Sequence, residues 1–267
     1  MPEKINLENQ PKRRARIEVP TEVVPLPSLG KVYPVGSPLH GRDRVEIKSM
    51  TAHEEDILTS RALLKQGKAF TALIGSCLMD KEIDPEDLLV GDRNALLIAI
   101  RITGYGAEYA ASSVCPACGE SSKVEFNLSK LPVKQLETDP PAPGQNLYSF
   151  ELPVTKKNVT FSLMTGRTER DLSAENEKKR KLYGPDMIEE NVTAELARQI
   201  VSLGDETDRD VISMLVKQLP ARDSRALARK IDELSPGVEL QQSVVCPRCK
   251  ETSEVAVPMG PDFFWPG

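Results

Sequence analysis

The segment SSVCPACGESSKVEF, residues 112–126, is repeated in altered form as SVVCPRCKETSEVAV, residues 243–257. Each copy has a Cys-Pro-x-Cys turn, and the four cysteines of the two turns are Cys115, Cys118, Cys246 and Cys249. On both sides of each turn, apolar residues alternate with polar ones, a pattern typical of short β-strands. The repetition therefore predicts two similar zinc-knuckle turns, each entered and left by a strand.

The similarity extends beyond the cysteine turns. At a shift of 131 positions, which places Cys115 on Cys246, residues 92–126 match residues 223–257 at 14 of 35 positions without a gap. The matches include an Asp-x-x-Ala-Leu sequence that begins a predicted helix in each copy. Convergence of two cysteine turns would explain the cysteines but not this helix, so we interpret the chain as an internal duplication.

Further upstream, RVEIKSMT at residues 44–51 resembles NVTFSLMT at residues 158–165, which predicts a strand in both copies, the second as part of a hairpin. Thr51 and Glu54 form a capping-box pattern at the start of a helical region. Asp92 and Asp223 are the predicted N-caps of the helices that precede the knuckles. Further helices are predicted in the second copy near residues 168–182, 192–203 and 207–218.

The predicted fold class is α+β, a tandem duplication of β-hairpin, helices and zinc knuckle. The predicted regions are an extended proline-rich arm, a first copy, a linker, a second copy and an aromatic tail, at residues 1–40, 41–137, 138–146, 147–258 and 259–267. Three prolines within TDPPAPG mark the linker. The two copies are unequal in length because the second contains more helix.

The four turn cysteines have the chemistry of a structural zinc site. A Cys-x-x-Cys turn directs two thiolates to one side, and two such turns complete the tetrahedral shell that Zn²⁺ prefers. The turns of a zinc ribbon are usually close in sequence, whereas 127 residues separate Cys118 from Cys246. The duplication accounts for this separation if each copy contributes one knuckle. We therefore predict that the two knuckles form a single four-cysteine zinc ribbon, with one structural Zn²⁺ per chain.

Redox chemistry and disulfide formation are two other uses of cysteines, and the sequence favours zinc binding over both. A redox Cys-x-x-Cys would begin a helix, whereas Val124 and Val255 predict strands after the turns. Disulfides form in oxidising compartments, and the first 16 residues lack the apolar core of a signal peptide, so we expect a cytoplasmic protein. The fifth cysteine, Cys77, lies on an apolar helical face and is expected to act as a small buried hydrophobic residue.

The composition limits the remaining functions. With 35 basic and 40 acidic residues the net charge is −5, which gives no overall attraction to nucleic acid or anionic membranes. No run approaches the roughly 18 apolar residues of a membrane-spanning helix. The only two histidines, His40 and His53, are not paired with a nucleophile, and the sequence lacks a phosphate-binding Gly-Lys-Ser/Thr loop. We expect no enzymatic activity.

The N-terminal arm carries a basic run, PKRRAR, at residues 11–16. Seven of the chain's 21 prolines lie in the first 40 residues, so this arm is expected to extend without packing. The basic run is either a solvated tail or a segment that becomes ordered on another protein. On the second interpretation Lys12, Arg13 and Arg14 are candidate partner-binding residues.

The C-terminal tail MGPDFFWPG, residues 259–267, concentrates three aromatic side chains, Phe263, Phe264 and Trp265. Large aromatic groups are unfavourable in water, so these rings are expected to be covered. Either they fold back as a lid on this chain, or they anchor it in a pocket of another protein, where buried aromatic residues dominate binding energy. They are therefore the second group of candidate partner-binding residues.

Three framework segments carry a family resemblance: LPSLGKVYPVGS at residues 26–37, SMTAHEEDIL at 49–58 and DLLVGDRNALLIAIRITGYG at 87–106, followed by the first Cys-Pro-x-Cys turn. Together they resemble the T4-like bacteriophage baseplate protein family, baseplate hub components or hub assembly chaperones of contractile-tailed phages. The resemblance implies a structural or assembly role at the tail tip, contact with other baseplate proteins, and assembly in the host cytoplasm. The residues involved are framework residues, so they imply no catalytic site.

Two functional hypotheses follow. The first is a zinc-rigidified adaptor of a phage baseplate that binds other tail proteins and is part of the virion or of its assembly pathway. The second is a zinc-ribbon module that binds nucleic acid or takes part in transcription, which should show basic residues and exposed aromatics at the knuckle tips. The first tip has no basic residue, and the second has Arg248 and Lys250 beside Glu251. The tips therefore favour the baseplate hypothesis.

Overall fold

The structure, a computed structural model, describes residues 17–184 and 191–264. The helices are α1 Ala52–Thr59, α2 Arg61–Lys65, α3 Ala69–Cys77, α4 Val90–Tyr105, α5 Gly166–Tyr183, α6 Asn191–Gln199, α7 Arg209–Gln218 and α8 Ala221–Leu234. The strands are β1 Thr21–Pro25, β2 Arg44–Lys48, β3 Glu108–Val114, β4 Ser121–Asn127, β5 Val133–Lys134, β6 Tyr148–Glu151, β7 Asn158–Phe161, β8 Ile200–Leu203, β9 Gly237–Val238, β10 Gln241–Val245 and β11 Thr252–Ala256. Two 3-10 turns lie at Leu128–Lys130 and Pro261–Phe264. The mixture of helices and small sheets confirms the α+β class.

We call residues 17–137 the first half and residues 147–264 the second half. In the first half, β1 and β2 form an antiparallel pair, and β3 and β4 form a long hairpin that carries the first cysteine turn at its tip. In the second half, β6, β7 and β8 form an antiparallel sheet, and β10 and β11 form the hairpin of the second cysteine turn. Each knuckle therefore lies between two strands, as its flanking alternation predicts.

Residues 21–39, before β2, are packed, which corrects the prediction of an extended arm for this part of residues 1–40. Thr21–Pro25 is a strand, and four apolar side chains of residues 26–39 belong to the core: Leu26, Val32, Tyr33 and Leu39. Proline content suggested an unpacked chain, but a proline at the end of an edge strand does not prevent pairing. Residues 1–16, which include Lys12, Arg13 and Arg14, lie outside the described residues.

The capping box at α1 is confirmed. Thr51 donates both its backbone N–H and its hydroxyl to the Glu54 carboxylate, at 2.9 and 2.6 Å. That carboxylate is fully buried and also accepts from Lys48 Nζ at 2.6 Å and Ser76 Oγ at 2.5 Å. Burial alone would raise the pKa of Glu54, but these hydrogen bonds outweigh it and lower the pKa to about 2. The box thus ties α1 to β2 and α3.

The predicted helix over residues 192–203 ends early. Helix α6 stops at Gln199, and residues 200–203 form β8, which pairs antiparallel with β7. Ile200 and Leu203 are both buried in this strand. The prediction was wrong for these four residues because their apolar spacing suits a helix as well as a strand, and pairing with a distant strand decides between them.

Helix α4 begins at Val90, so Asp92 lies in the first turn and is not the N-cap as predicted. The Asp92 carboxylate is buried and points at the loop after β1. It accepts the backbone N–H of Ser28 at 2.9 Å and the hydroxyl of Tyr33. Burial raises the pKa of Asp92 in spite of these two bonds. Asp92 is therefore a tertiary anchor for residues 26–33.

Helix α8 departs from the prediction in the same way. It begins at Ala221 after Pro220, and Asp223 lies in its first turn. The buried Asp223 carboxylate accepts two backbone N–H groups of the turn after β6, those of Val154 at 2.7 Å and Thr155 at 3.0 Å. Here the hydrogen bonds outweigh burial and lower the pKa of Asp223. Each half thus anchors its first strand pair to its last helix through an aspartate.

The two halves are joined by backbone pairing. Strand β5 of the first half pairs with β9 of the second. The Val90 N–H donates to the Met164 carbonyl at 3.0 Å, and the Gly166 N–H donates to the Leu88 carbonyl at 2.9 Å. One cluster of buried apolar residues includes side chains of both halves. A metal held by the cysteines would therefore not be the only connection between the halves.

Ion pairs and the linker add to this junction. Arg167 of α5 contacts three acids of the first half, Asp84 at 3.0 Å, Glu86 at 3.5 Å and Asp87 at 2.8 Å. The segment predicted as a linker lies on the first half, where Asp139 pairs with Lys31 at 2.8 Å. Exposed pairs such as these contribute little individually, about 0–1 kcal/mol. They fix the orientation of α5 and the linker more than they add stability.

None of the helices in residues 17–184 and 191–264 is long and apolar enough to span a lipid bilayer.

Candidate metal centre

The two cysteine turns have the same backbone form. In the first, the Cys115 N–H donates to the Glu120 carbonyl at 2.8 Å, and the N–H of Gly119 donates back to the Cys115 carbonyl at 2.9 Å. The second turn repeats both bonds, from the Cys246 N–H at 2.9 Å and from the Lys250 N–H at 3.0 Å. Gly119 and Lys250 both have positive φ, 71° and 63°. Each turn therefore presents its two sulfur atoms on one side.

The hairpins bring the two turns together. The four sulfur atoms lie within 4.8 Å of one another. Between the halves, Cys115 Sγ lies 3.7 Å from Cys249 Sγ, and Cys118 Sγ lies 3.8 Å from Cys246 Sγ. A tetrahedral metal with metal–sulfur bonds of about 2.3 Å holds its sulfurs about 3.8 Å apart. The spacing of the sulfurs thus fits a four-coordinate metal.

The same distances bear on the other uses of these cysteines. A disulfide requires sulfurs about 2.05 Å apart, and all four cysteines are free in the structure. A redox turn would open a helix, but β4 and β11 follow the two turns. A closed set of four sulfurs also leaves no position for a metal-bound water, which catalytic zinc sites keep. The four sulfurs therefore form a group that could hold a metal ion.

The thiols of Cys246 and Cys118 have pKa values shifted in opposite directions. Backbone N–H groups of Cys249 and Arg248 point at the sulfur of Cys246 and, in spite of burial, lower the pKa of this thiol to about 7. At Cys118 the N–H of Glu120 lowers the pKa, but burial and the neighbouring thiols outweigh it and raise the pKa to about 12. Cys246 therefore forms a thiolate near neutral pH, whereas the Cys118 thiolate would need a nearby cation to stabilise it.

One ion pair connects the two turns directly. Arg248 Nη1 lies 3.0 Å from Glu120 Oε2, and both side chains are exposed to solvent. Cys115 and Cys246 are buried, whereas Cys249 is exposed. The cluster is therefore at the surface on the side of the second turn, and a metal ion can reach it without unfolding of the hairpins.

The C-terminal aromatic residues occupy a different position from the one predicted for partner binding. Phe263 and Phe264 are 1% and 0% exposed. The Phe264 ring lies 5.8 Å from that of Phe70, and Phe263 packs edge-to-face on Tyr109 at 5.0 Å. These two side chains are therefore buried in their own chain, as in the lid interpretation, and are not available to a partner. Trp265 lies outside the described residues.

An arginine that the sequence patterns did not single out holds this tail. Arg101, in the apolar α4, is 1% exposed. Its Nε donates to the Phe263 carbonyl at 2.8 Å, and its two terminal nitrogens donate to the carbonyls of Gly106 at 2.8 Å and Glu108 at 3.3 Å. A lone arginine within LLIAIRI was the signal that could have found it, because a buried charge requires hydrogen-bond acceptors.

Comparison with known proteins gives one match of nearly full length. The family described as T4 bacteriophage base plate protein matches residues 20–265, and so covers both halves and both cysteine turns. No curated protein and no solved structure matches the chain. The match includes β1 and residue 264 of the buried tail, so it spans the whole described fold from its first strand. The chain therefore belongs to the T4 bacteriophage base plate protein family.

Proposed function

We propose that this protein is a structural or assembly component of the baseplate of a contractile-tailed phage, in the hub region, where it acts as a rigid adaptor between other tail proteins. The observation that carries the proposal is the family match over residues 20–265. In this role the chain assembles in the host cytoplasm, becomes part of the tail or of its assembly pathway, and performs no chemistry.

The proposed source of rigidity is one structural Zn²⁺ held by Cys115, Cys118, Cys246 and Cys249. Four thiolates at tetrahedral spacing suit Zn²⁺ better than hard cations, which prefer oxygen ligands. Two ligands come from each half, so the metal would fix the β3–β4 hairpin against the β10–β11 hairpin. In the described residues these hairpins do not pair with each other as strands. The metal would therefore replace missing backbone bonds at this end of the molecule.

An internal duplication best accounts for this arrangement. Both halves contain an antiparallel strand pair, then a helix with a buried first-turn aspartate, then a knuckle hairpin. The strand and helix positions agree with the sequence shifts, since β2 lies over β7 and Gly119 corresponds to Lys250. A left-handed backbone is unusual for lysine. Its presence at position 250 supports descent of the second turn from a glycine-containing ancestor.

Zinc content tests the shared site. Purified wild-type protein should contain one zinc per chain by elemental analysis, and Cys115→Ser and Cys246→Ser should each abolish stoichiometric binding although the residues lie in different halves. Cys77→Ala is the matched control, because Cys77 is buried in α3 away from the cluster. Full zinc content in either single serine variant would contradict a site shared by the two knuckles.

The baseplate role needs a separate test. In a phage that encodes this chain, an early stop codon in its gene should yield particles that lack complete baseplates in electron micrographs, and plasmid-borne wild-type protein should restore them. Mass spectrometry of purified tails would then show whether the protein remains in the particle. Complete, infectious tails without the gene would refute the proposal, whatever the metal content.

A further inference from the structure

Helix α8 has one buried face and one that carries a row of arginines. Leu227, Ile231 and Leu234 are buried on one side. On the opposite side three exposed arginines recur at helical spacing, and these are Arg222, Arg225 and Arg229. Seven residues of helix span about 10 Å, so the guanidinium groups form one short row.

These arginines have no acid partner within the part of the chain that the structure describes. None of the three forms a salt bridge or a side-chain hydrogen bond with residues 17–184 or 191–264. The one acid beside them in the first turn, Asp223, is already bound by the N–H groups of Val154 and Thr155. Arginines elsewhere on the surface, such as Arg167 and Arg170, are paired with acids. The row is thus a positive surface without ion pairs to the described residues, although the charge of Arg222 also acts on Asp223 beside it.

The row borders a shallow groove of about 520 Å³. It is lined by Pro153, Ala221 and Ala226 and by the three arginines, and its lining is mostly apolar. The small lining residues leave room for an approaching side chain or backbone. An apolar groove beside exposed guanidinium groups suits an amphipathic peptide segment, because the apolar and charged parts of such a segment are each matched.

The corresponding face of α4 is covered. At the shift of 131 positions the three arginines replace Gly91, Asn94 and Ile98. Gly91 lies against the segment that leads into β9, so closely that a Cβ atom there would be 1.9 Å from the Pro236 carbonyl oxygen. Ile98 is buried. The second half therefore contacts this face of the first half at Gly91, whereas the described residues leave the arginine face of α8 exposed.

We propose that the arginine face of α8 binds an acidic segment of another protein, with carboxylates along one side that pair with the three guanidinium groups. Arginine suits this role because its planar group can bind a carboxylate through two hydrogen bonds. Side chains this long would prevent the close backbone contact made at Gly91, so the occupant binds through side chains. That the partner is a tail protein rests on the proposed function, but the chemistry of the surface does not.

The short length of the arginine row and the acidic residue beside it favour a protein partner over a nucleic acid. Glu233 follows Arg229 one turn later on the same exposed face, so the positive surface ends after two turns of helix. A phosphate backbone needs a longer run of basic residues, and the chain carries a net charge of −5. A short row flanked by an acid matches about two turns of a partner helix.

The test is an NMR titration of the ¹⁵N-labelled full chain with a synthetic Ala-rich helical peptide that carries three glutamates spaced i, i+3 and i+7. At low salt, amide signals of α8 should shift, and the same peptide with glutamine at the three positions should not shift them. This comparison uses only wild-type protein. Equal shifts with both peptides, or no shift of α8 signals by the glutamate peptide, would overturn the proposal.

A charge-reversal variant provides the second arm. R222E, R225E and R229E together should weaken binding of the glutamate peptide about tenfold or more, as expected for three exposed ion pairs. The matched control variant carries R61E, K65E and K68E. Arg61, Lys65 and Lys68 are also exposed, and their substitution changes the net charge by the same amount. Equal weakening by both triple variants, or tighter binding of a short DNA duplex than of the peptide, would overturn the proposal. Neither arm depends on zinc or on the baseplate role.

Discussion

The last helix of each half begins with a buried aspartate at the same register, yet the two carboxylates have opposite pKa shifts. Asp92 in α4 has one backbone N–H and the Tyr33 hydroxyl as donors, and burial raises its pKa. Asp223 in α8 has two backbone N–H donors, and they lower its pKa against the effect of burial. Corresponding positions thus retain the same residue and the same anchoring role, while burial, the hydrogen-bond donors and, at Asp223, the nearby Arg222 give the two pKa values opposite shifts.

The surroundings of the two helices differ more than their starts. The second half covers one face of α4, where Gly91 allows backbone contact with Pro236. The corresponding face of α8 is exposed and carries arginine. At this face the two halves are therefore not packed in equivalent ways. The residues that differ at this face are therefore those expected to interact with something outside the chain.

The largest predicted effect comes from removal of the proposed metal. A chelator should lower the free energy of unfolding by several kcal/mol, less than the roughly 10–16 kcal/mol of zinc-finger peptides because the shared core remains. Hydrogen exchange measured by mass spectrometry should accelerate in both knuckle hairpins, β3–β4 and β10–β11. Helices α4 and α8 should keep their protection. Faster exchange in only one hairpin would show that the halves do not share the site.

A second prediction concerns the tail, where Phe263 and Phe264 correspond to Pro132 and Val133 of the first half. Phe264→Ala should destabilise the protein by about 3–5 kcal/mol, since the ring is fully buried and packs on Phe70. Urea denaturation measures this loss. Tyr109→Phe is a milder comparison, because it removes only the hydroxyl bond to the Pro258 carbonyl and should cost about 1 kcal/mol. A change below about 1 kcal/mol for Phe264→Ala would mean that the tail is free for a partner.

Patterns of a few neighbouring residues predicted those parts of the fold that neighbouring residues determine. The capping box of Thr51 and Glu54 and the two strand-turn-strand knuckles were predicted because neighbouring residues determine them. The convergence of the four sulfurs, within 4.8 Å, followed from the repeat and not from local pattern. It could be predicted because a Cys-x-x-Cys turn supplies only half of a tetrahedral shell.

The predictions that were wrong or left open concern residues whose positions depend on contacts between distant segments. Asp92 has the composition of an N-cap, but its carboxylate is used by residues 28 and 33, so the helix starts earlier. Ile200 joins a strand because β7 lies beside it. The sequence could not choose between a lid and an anchor for Phe263, since the choice depends on a space beside Tyr109 that forms only in the folded protein.

A smaller effect concerns the first helix of each half. The stability contributed by the start of this helix should depend on pH in the first half but not in the second. Glu54 of the capping box has a folded-state pKa of about 2, below its usual value of 4.5, so its stabilisation is present above the unfolded pKa and is lost as pH falls toward 2. The loss should be up to about 3 kcal/mol. The position that corresponds to Glu54 in the second half is Thr168, which cannot titrate.

Urea denaturation at a series of pH values from about 6 to 2 measures this difference. Glu54→Gln should be less stable than wild type at pH 6 and should lack much of the decline at low pH. Thr168→Val is the control, because it removes the hydroxyl contact with Thr165 without changing the pH dependence. An unchanged decline in Glu54→Gln would show that other carboxylates determine the acid sensitivity.

The smallest effect tests the two aspartates themselves. Asp223→Asn should lower the free energy of unfolding by about 1–2 kcal/mol at neutral pH. In the wild-type protein each of two backbone N–H groups donates to a carboxylate oxygen, and in the variant the side-chain NH2 group would face one of these N–H groups. Asp92→Asn should cost less, since the Tyr33 hydroxyl can accept from the new NH2 group and burial already disfavours the charged form. Paired urea titrations at neutral pH give both values.

The sign of the pH dependence then distinguishes the two sites. The raised pKa of Asp92 means that folding favours its protonated form, so its contribution to stability falls as pH rises through the unfolded pKa. The lowered pKa of Asp223 gives the opposite slope, with stability present above its unfolded pKa and lost below it. Asp92→Asn should therefore be most favourable relative to wild type at higher pH, and Asp223→Asn at lower pH. Parallel behaviour of the two variants would contradict opposite pKa shifts at the two aspartates, and the two anchors would be equivalent after all.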